Sequence, residues 1–163
     1  KGIIQGSLDS GAFDTFILSD GMIGDSLTDA FGKSLNKSFG SLPGSTGKGA
    51  KVFTKVAKAA GIDSSGPYTG ESYDAAALIV LAMQAGGSAD RASIAKNVMA
   101  VANGPGKKIY AGQLKKGLDL LAKGKAIDYE GATGVVFTDV GEHVGNFLEK
   151  EVKGGKFKTK KQR

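Results

Sequence analysis

The sequence predicts an α/β fold, and three observations support this prediction. The apolar residues Phe16, Ile17 and Leu18 form a short run that ends in Ser-Asp-Gly, which is typical of a buried strand covered on both faces. Two long helical patterns follow, at residues 50–60 and 72–85. A hairpin pattern closes the chain. Short buried strands combined with long helices indicate a layered α/β structure.

Length and composition narrow the class of protein. With 163 residues, of which 40% are hydrophobic and 23% charged, the chain suits one ordinary globular domain and is too polar for a membrane protein. Its longest apolar run, residues 75–83, is far shorter than the roughly 20 residues of a membrane-spanning helix. The absence of cysteine excludes disulfides and thiolate metal sites, and is compatible with an oxidising compartment.

The net charge of +6 is concentrated near the end of the chain. Seven of the 22 basic residues lie in the last fourteen positions, and without them the chain is close to neutral. This stretch has neither interleaved aromatic residues nor a recognisable nucleic-acid-binding module. We therefore interpret residues 158–163 as a solvated basic tail and predict that the protein has no nucleic-acid partner.

The other elements are predicted from hydrophobic periodicity and from helix start and stop signals. Residues 2–10 are assigned to the end of a helix and lead into a strand. The predicted elements are strands at 13–18, 37–42, 134–137 and 146–152, helices at 25–31, 50–60, 72–85, 88–102 and 113–122, and a hairpin turn at 153–156. The helix at 72–85 is apolar on nearly every side, so we expect it to be buried all round.

The segment Gly-Ser-Thr-Gly-Lys-Gly at residues 44–49 has some features of a phosphate-binding loop. That loop requires a glycine five residues before the Gly-Lys pair and a Ser or Thr after the lysine. Leu42 and Gly49 occupy these two positions. We therefore interpret the segment as a turn that opens the following helix, and we predict no nucleotide cofactor.

Catalytic motifs are missing from the sequence. The lone histidine, His143, lies in a predicted turn without convergent partners, which favours a surface position. No serine-hydrolase elbow, HExxH motif, calcium loop or dinucleotide fingerprint is present. We predict no catalytic residue, no metal site and no cofactor.

Recognition of a small molecule is the remaining interpretation. Asp20 follows a predicted strand, and ligands of open α/β sheets bind outside the carboxyl ends of strands. Its alternative role is to cap the next helix. Tyr68 and Tyr73 are aromatic residues that could close over an apolar ligand. The alternatives are that Tyr68 covers the edge of the core and that Tyr73 is a core aromatic.

Taken in order, these segments resemble a known family. They begin with residues 16–22 (FILSDGM), and the most specific are residues 73–77 (YDAAA) and 129–134 (YEGATG). They resemble the C-terminal part of periplasmic substrate-binding proteins of branched-chain amino acid ABC transporters, the two-lobed "Venus flytrap" proteins of the type I fold. The resemblance runs from near Gly11 to Phe157.

The resemblance implies how the chain contributes to a larger protein. Residues 1–66 and 131–157 would belong to the C-terminal three-layer αβα lobe, with 67–130 packing on the N-terminal lobe and 158–163 outside the pattern. The groups that bind the ligand's carboxylate lie in the N-terminal lobe and have no counterpart here. The chain starts at Lys1 and shows no export signal, so we expect a processed, trimmed or partial chain.

The resemblance also implies a function and a set of binding residues. The acid at the position of Asp20 binds the ligand's ammonium group, with Gly21 and Met22 beside it, and Tyr68 falls where an aromatic residue contacts the ligand side chain. Tyr73 is a further predicted ligand-binding residue, from its aromatic side chain alone. Such proteins are periplasmic and not enzymes, and they deliver an amino acid to an inner-membrane permease. The expected partners are that permease and the missing N-terminal part. The alternative is a sensor of the same fold that binds an amide or amino acid.

Overall fold

The computed structural model describes all residues, 1–163, and they form two compact units. Unit 1 comprises Lys1–Pro43 and Asn146–Arg163, and unit 2 comprises Gly44–Gly145. In chain order the elements are α1 (Gly2–Ser10), β1 (Ile17–Leu18), α2 (Asp25–Phe31), β2 (Phe39–Pro43), α3 (Lys48–Ala59), α4 (Thr69–Gly86), α5 (Arg91–Ala102), β3 (Lys107–Tyr110), α6 (Leu114–Leu121), β4 (Ile127–Gly131), β5 (Phe147–Lys153) and β6 (Lys156–Gln162). The lobe assignments predicted above concern the complete protein and stay predictions.

Unit 1 is built on a four-stranded sheet with the strand order β1-β2-β5-β6. Strand β1 runs parallel to β2, whereas β5 is antiparallel to both of its neighbours. Gly154 and Gly155 join β5 to β6 with φ angles of 65° and 76°, which glycine adopts without steric cost. One face of the sheet packs on the helices through a buried cluster comprising Ile4, Leu18, Ile23, Leu27, Leu35, Leu42 and Val152.

Unit 2 packs four helices with the two-stranded parallel sheet formed by β3 and β4. Its main core is a cluster of Ala77, Leu78, Leu81, Ala82, Val101, Ala102, Ile109, Ile127, Tyr129 and Val135. A smaller cluster contains Phe53, Ala57, Ala111 and Ala132. None of the helices has the length and apolar character to cross a lipid bilayer.

The predicted helices are confirmed, with ends shifted by up to three residues, but the strands are predicted less well. The strand expected at 13–18 is limited to β1, and Phe13 is 69% exposed. Residues 134–137 form only an isolated bridge, between Phe137 and His143. Strands β3 and β4 were not predicted, because they are short and carry charged residues. Their burial comes from pairing with each other and packing under the helices.

Two further expectations are wrong. Helix α4 is not buried all round: Leu78 and Leu81 face the core, whereas Ile79 is 47% and Val80 38% exposed. Neighbouring elements cover only one side of this helix. Residues 158–163 are not a tail, because they extend strand β6 along β5. Their backbone hydrogen bonds hold the basic run in the sheet, although its side chains remain exposed.

Candidate ligand-binding site

Asp20 lies directly beyond the carboxyl end of β1, where one short 3₁₀ turn, Asp20–Met22, holds all three predicted residues of this segment. Its side chain is half-buried, and its Oδ1 accepts the backbone N–H of Gly21 at 2.7 Å. Helix α2 begins only at Asp25, and its N-cap, Gly24, provides no side-chain cap. Asp20 therefore does not occupy the N-cap position of that helix.

Strand directions in unit 1 explain why this edge suits a ligand. Strands β1, β2 and β6 run in the same direction, so their carboxyl ends lie along one edge of the sheet. Asp20 follows the first of these ends. A carboxylate at such an edge can pair with a cationic group of a small molecule. Gly21 is exposed and leaves room beside it, while Met22 packs against the unit 1 core.

Tyr68 precedes α4 in a backbone conformation that is unusual for a residue with a side chain. Its φ and ψ angles are 61° and 9°, in the left-handed region, and it is 41% exposed. This conformation costs about 1–2 kcal/mol for a residue other than glycine. Such strain occurs preferentially at binding sites, where surrounding structure maintains it. The predicted ligand contact of Tyr68 stays a prediction.

Tyr73, on the first turns of α4, is held by contacts within unit 2. Its ring packs on Phe53 with the centroids 5.3 Å apart, and its hydroxyl accepts the backbone N–H of Gly112 at 2.8 Å. These contacts support the alternative interpretation of Tyr73 as a core aromatic. Its contact with a ligand stays a prediction.

The most highly connected polar residue, Asp74, was not singled out from the sequence. It is 3% exposed and accepts hydrogen bonds from the hydroxyl of Tyr129 at 2.8 Å, the N–H of Ala132 at 2.8 Å, and the N–H and hydroxyl of Thr133 at 2.8 Å each. In the sequence, Asp74 is an acid within an otherwise apolar helical run, and this position could have indicated a buried hydrogen-bond acceptor. Asp74 thus holds residues 129–133 against α4, which joins the two most specific segments of the family resemblance.

Tyr129 donates a hydrogen bond to Asp74 in this network, and its hydroxyl stays protonated. Its side chain is 1% exposed, and burial, followed by the negative charge of Asp74, raises the pKa of its phenol well above the ordinary value. The phenol therefore keeps its proton at physiological pH and donates a hydrogen bond to the Asp74 carboxylate. The buried carboxylate is stabilised by this hydroxyl and by backbone N–H groups.

Gly131 is required where strand β4 turns beneath Asp74. Its φ angle is +59°, and a Cβ atom at this position would overlap the Asp74 carboxylate. Gly134 also has a positive φ angle, +76°, but open space surrounds its Cβ position. The two glycines therefore separate the effect of backbone strain from the effect of the close approach.

We expect Gly131→Ala to lower the free energy of unfolding by about 2–4 kcal/mol, because it adds displacement of a buried acid to the backbone strain. Gly134→Ala should cost only about 1 kcal/mol, from the strain alone. Urea denaturation followed by circular dichroism compares the two variants. Equal losses would show that Asp74 moves aside at no cost.

His143 lies on the surface, as predicted. It is exposed, and its ring meets Phe137 edge-on with the centroids 6.1 Å apart. Glu71, Leu78 and Phe137 line a shallow cavity with it. Asp74 and Thr133 also line this cavity, and the hydroxyl of Thr133 donates a hydrogen bond to the Asp74 carboxylate.

Comparison with known proteins establishes the fold. The chain superposes on the leucine-binding protein LivK of Thermotoga maritima with a TM-score of 0.66 over 98% of its length, at 17% sequence identity. The fold is that of a type I periplasmic binding protein. The chain spans 40% of the length of that protein. The resemblance to branched-chain amino acid binding proteins noted from the sequence is thereby confirmed.

A curated relative gives a second point of similarity. Over 70 residues the chain is 39% identical to the chemotactic signal transduction system substrate-binding protein BasB of Halobacterium salinarum. This match involves 43% of the chain and 17% of BasB. No family model matches the chain. The described similarities are therefore with substrate-binding proteins.

Proposed function

We propose that the complete protein is the extracytoplasmic solute-binding component of an ABC transporter. It binds a branched-chain or related amino acid between two lobes in the periplasm and delivers it to an inner-membrane permease. The protein has no enzymatic activity and needs no cofactor. Closure of the lobes about a hinge signals occupancy to the permease.

The observation that carries the proposal is the position of Asp20 in a type I periplasmic-binding-protein fold. Its half-buried carboxylate lies beyond the carboxyl end of β1, where such folds bind ligands. An amino acid leaving water needs a partner for its ammonium group, because an unpaired buried charge costs several kcal/mol. Asp20 supplies that partner, while Tyr68 contacts the ligand side chain.

The exposed apolar side of α4 supports the proposal that the N-terminal part of the complete protein packs against this helix. Ile79 and Val80 are exposed on a helix whose opposite side is buried. Contiguous apolar surface of this kind marks an interface. The N-terminal part of the complete protein covers it and supplies the groups that bind the ligand's carboxylate.

Isothermal titration calorimetry of the complete protein with a panel of amino acids tests this function. We expect leucine, isoleucine or valine to bind with a micromolar or lower Kd. We expect 4-methylpentanoate, which is leucine without its amine, to bind at least tenfold more weakly. If no amino acid binds, the proposed ligand class is wrong.

The second candidate is a sensor that binds an amide or amino acid and signals to another protein. Similarity to BasB, whose name places it in a chemotactic signal transduction system, favours it. The gene sequence upstream of Lys1 distinguishes the two functions. An export signal alone supports transport, and a fused output domain supports sensing. Co-purification with a permease or with a receptor gives an independent test.

A further inference from the structure

Helix α3 carries a row of positive charge on its exposed side. Its lysines follow one another at intervals of three or four residues, so they lie within an arc of about 80° around the helix axis and span about 15 Å along it. All of them are exposed, and the helix contains no acidic residue. We call the surface formed by Lys48, Lys51, Lys55 and Lys58 the lysine stripe.

The opposite side of α3 is fixed by packing within unit 2. Phe53 and Ala57 are buried against Ala111 and Ala132. A Cβ atom at Gly49 would overlap the backbone of Ala132, so the helix lies directly on the chain there. The lysine stripe therefore faces away from unit 2. Since lysines are almost never buried unless they are paired, we expect the stripe to lie on the surface of the complete protein.

The acids around α3 are engaged elsewhere. The elements packed on this helix, and the loop after it, contain Asp63, Glu71, Asp74, Asp128 and Glu130. Asp128 and Glu130 pair with Lys108, and Asp74 accepts the hydrogen bonds of residues 129–133. Asp63 accepts hydrogen bonds from the following loop, and Glu71 lines the cavity beside His143. None of these acids forms an ion pair with the lysine stripe.

The other basic clusters of the chain have acids within them. In α6, Lys115 pairs with Asp119 at 2.7 Å, one helical turn away. In unit 1, Lys160 and Arg163 both pair with Glu149, and β5 places a second acid opposite the basic run of β6. The lysine stripe has no such acidic neighbour, so its charge is available to another molecule.

This arrangement of lysines opposes the stability of α3. Lysines three or four residues apart on a helix repel each other. Lys48 and Lys51 also lie in the first turn, where the helix dipole disfavours cations and no acid offsets them. The ammonium group of Lys48 is held 4.5 Å from the centre of the Tyr110 ring, which keeps it charged at the surface. Natural sequences break such local rules at functional sites.

We propose that the lysine stripe is a docking surface for an acidic segment of a partner protein, whose carboxylates face the lysines along about 15 Å of α3. Pairing with carboxylates removes the repulsion between the lysines, so complementary charge favours this complex. The proposal rests on the proposed function only because transport and sensing both require a partner protein.

An acidic protein fits this surface better than a membrane or a nucleic acid. The exposed side of α3 has no large apolar or aromatic side chain to enter a lipid interface or to stack on bases. It also has no arginine, the residue that binds phosphate in a bidentate manner. Separate ammonium groups on flexible stems suit separate carboxylates.

Binding of a fluorescein-labelled polyglutamate peptide to the complete protein, followed by fluorescence anisotropy, tests the docking surface. Lys51→Glu combined with Lys55→Glu should weaken binding about tenfold or more. The matched control is Lys116→Glu combined with Lys123→Glu, which reverses two exposed charges at α6 and just after it. The control should weaken binding by no more than about twofold. Equal losses in the two variants, or no binding to the unmodified protein, would overturn the proposal.

Thermal unfolding of Lys51→Glu tests the repulsion within the stripe. The introduced carboxylate lies one turn before Lys55 and in the first turn of the helix, so the Tm should rise by about 1–2 °C. A variant that is more stable and yet binds the peptide more weakly has not lost binding through unfolding. A lower Tm would refute the repulsion from which the docking surface is inferred.

Two further titrations separate the possible outcomes. Vesicles containing phosphatidylglycerol and a DNA duplex are added in place of the peptide. Stripe-dependent binding of either one without binding of the peptide would refute an acidic protein partner. Calorimetry with leucine on the same variants distinguishes this proposal from the proposed function. We expect an unchanged Kd for leucine in Lys51→Glu, whereas stripe-dependent peptide binding without amino-acid binding would refute the proposed function alone.

Discussion

Replacement of Asp74 by alanine is expected to lower the free energy of unfolding by about 3–5 kcal/mol, the largest stability effect of any single change considered. Four donors from Tyr129, Ala132 and Thr133 would lose their common acceptor in a buried site. A buried donor left without a partner costs about 1–3 kcal/mol, and a small cavity adds to this. Chemical denaturation followed by circular dichroism measures the loss.

Asp119→Ala is the matched control for Asp74→Ala. It removes the same charge from unit 2, but Asp119 is exposed and pairs only with Lys115 across one helical turn. We expect a loss of no more than about 0.5 kcal/mol. Asp74→Asn should fall between the two, because the amide keeps one acceptor oxygen. A loss for Asp74→Ala within about 1 kcal/mol of the control would show that the network contributes little.

Replacement of Asp20 by alanine in the complete protein is expected to weaken amino-acid binding at least tenfold. A hydrogen bond to a charged group is worth roughly 1.5–3 kcal/mol, and tenfold in Kd corresponds to about 1.4 kcal/mol. Because Asp20 is proposed to bind the ammonium group, the preference for leucine over 4-methylpentanoate should shrink in the same variant. Calorimetry with both compounds measures the two effects.

Asp29→Ala controls for the loss of one negative charge from unit 1. This acid is exposed in α2, so its removal should leave the Kd within twofold. Unchanged affinity in Asp20→Ala would refute the role of Asp20. A loss of affinity that is equal for leucine and its amine-free analogue would assign Asp20 a structural role.

The sequence determined the local features of this fold. Helix α2 was predicted with both ends correct, because one acid in its first turn, Asp25, and a following glycine, Gly32, mark a helix by local chemistry. The hairpin turn between β5 and β6 was also predicted, from two adjacent glycines, Gly154 and Gly155. Asp20 could be placed after a strand because Ser-Asp-Gly ends an apolar run. These signals act within a few residues, so a single sequence contains them.

Tertiary structure decided everything that depends on distant partners. Strands β3 and β4 pair across 19 intervening residues, between Lys107 and Ile127, and neither is apolar enough to be recognised alone. The acceptor role of Asp74 depends on residues 129–133, and the exposure of Ile79 depends on which side of α4 its neighbours cover. The sequence thus determined where the helices and turns lie, with the helix ends placed to within three residues. Contacts between distant segments decided which polar groups are buried and which apolar faces remain open, because burial is a property of the packed chain.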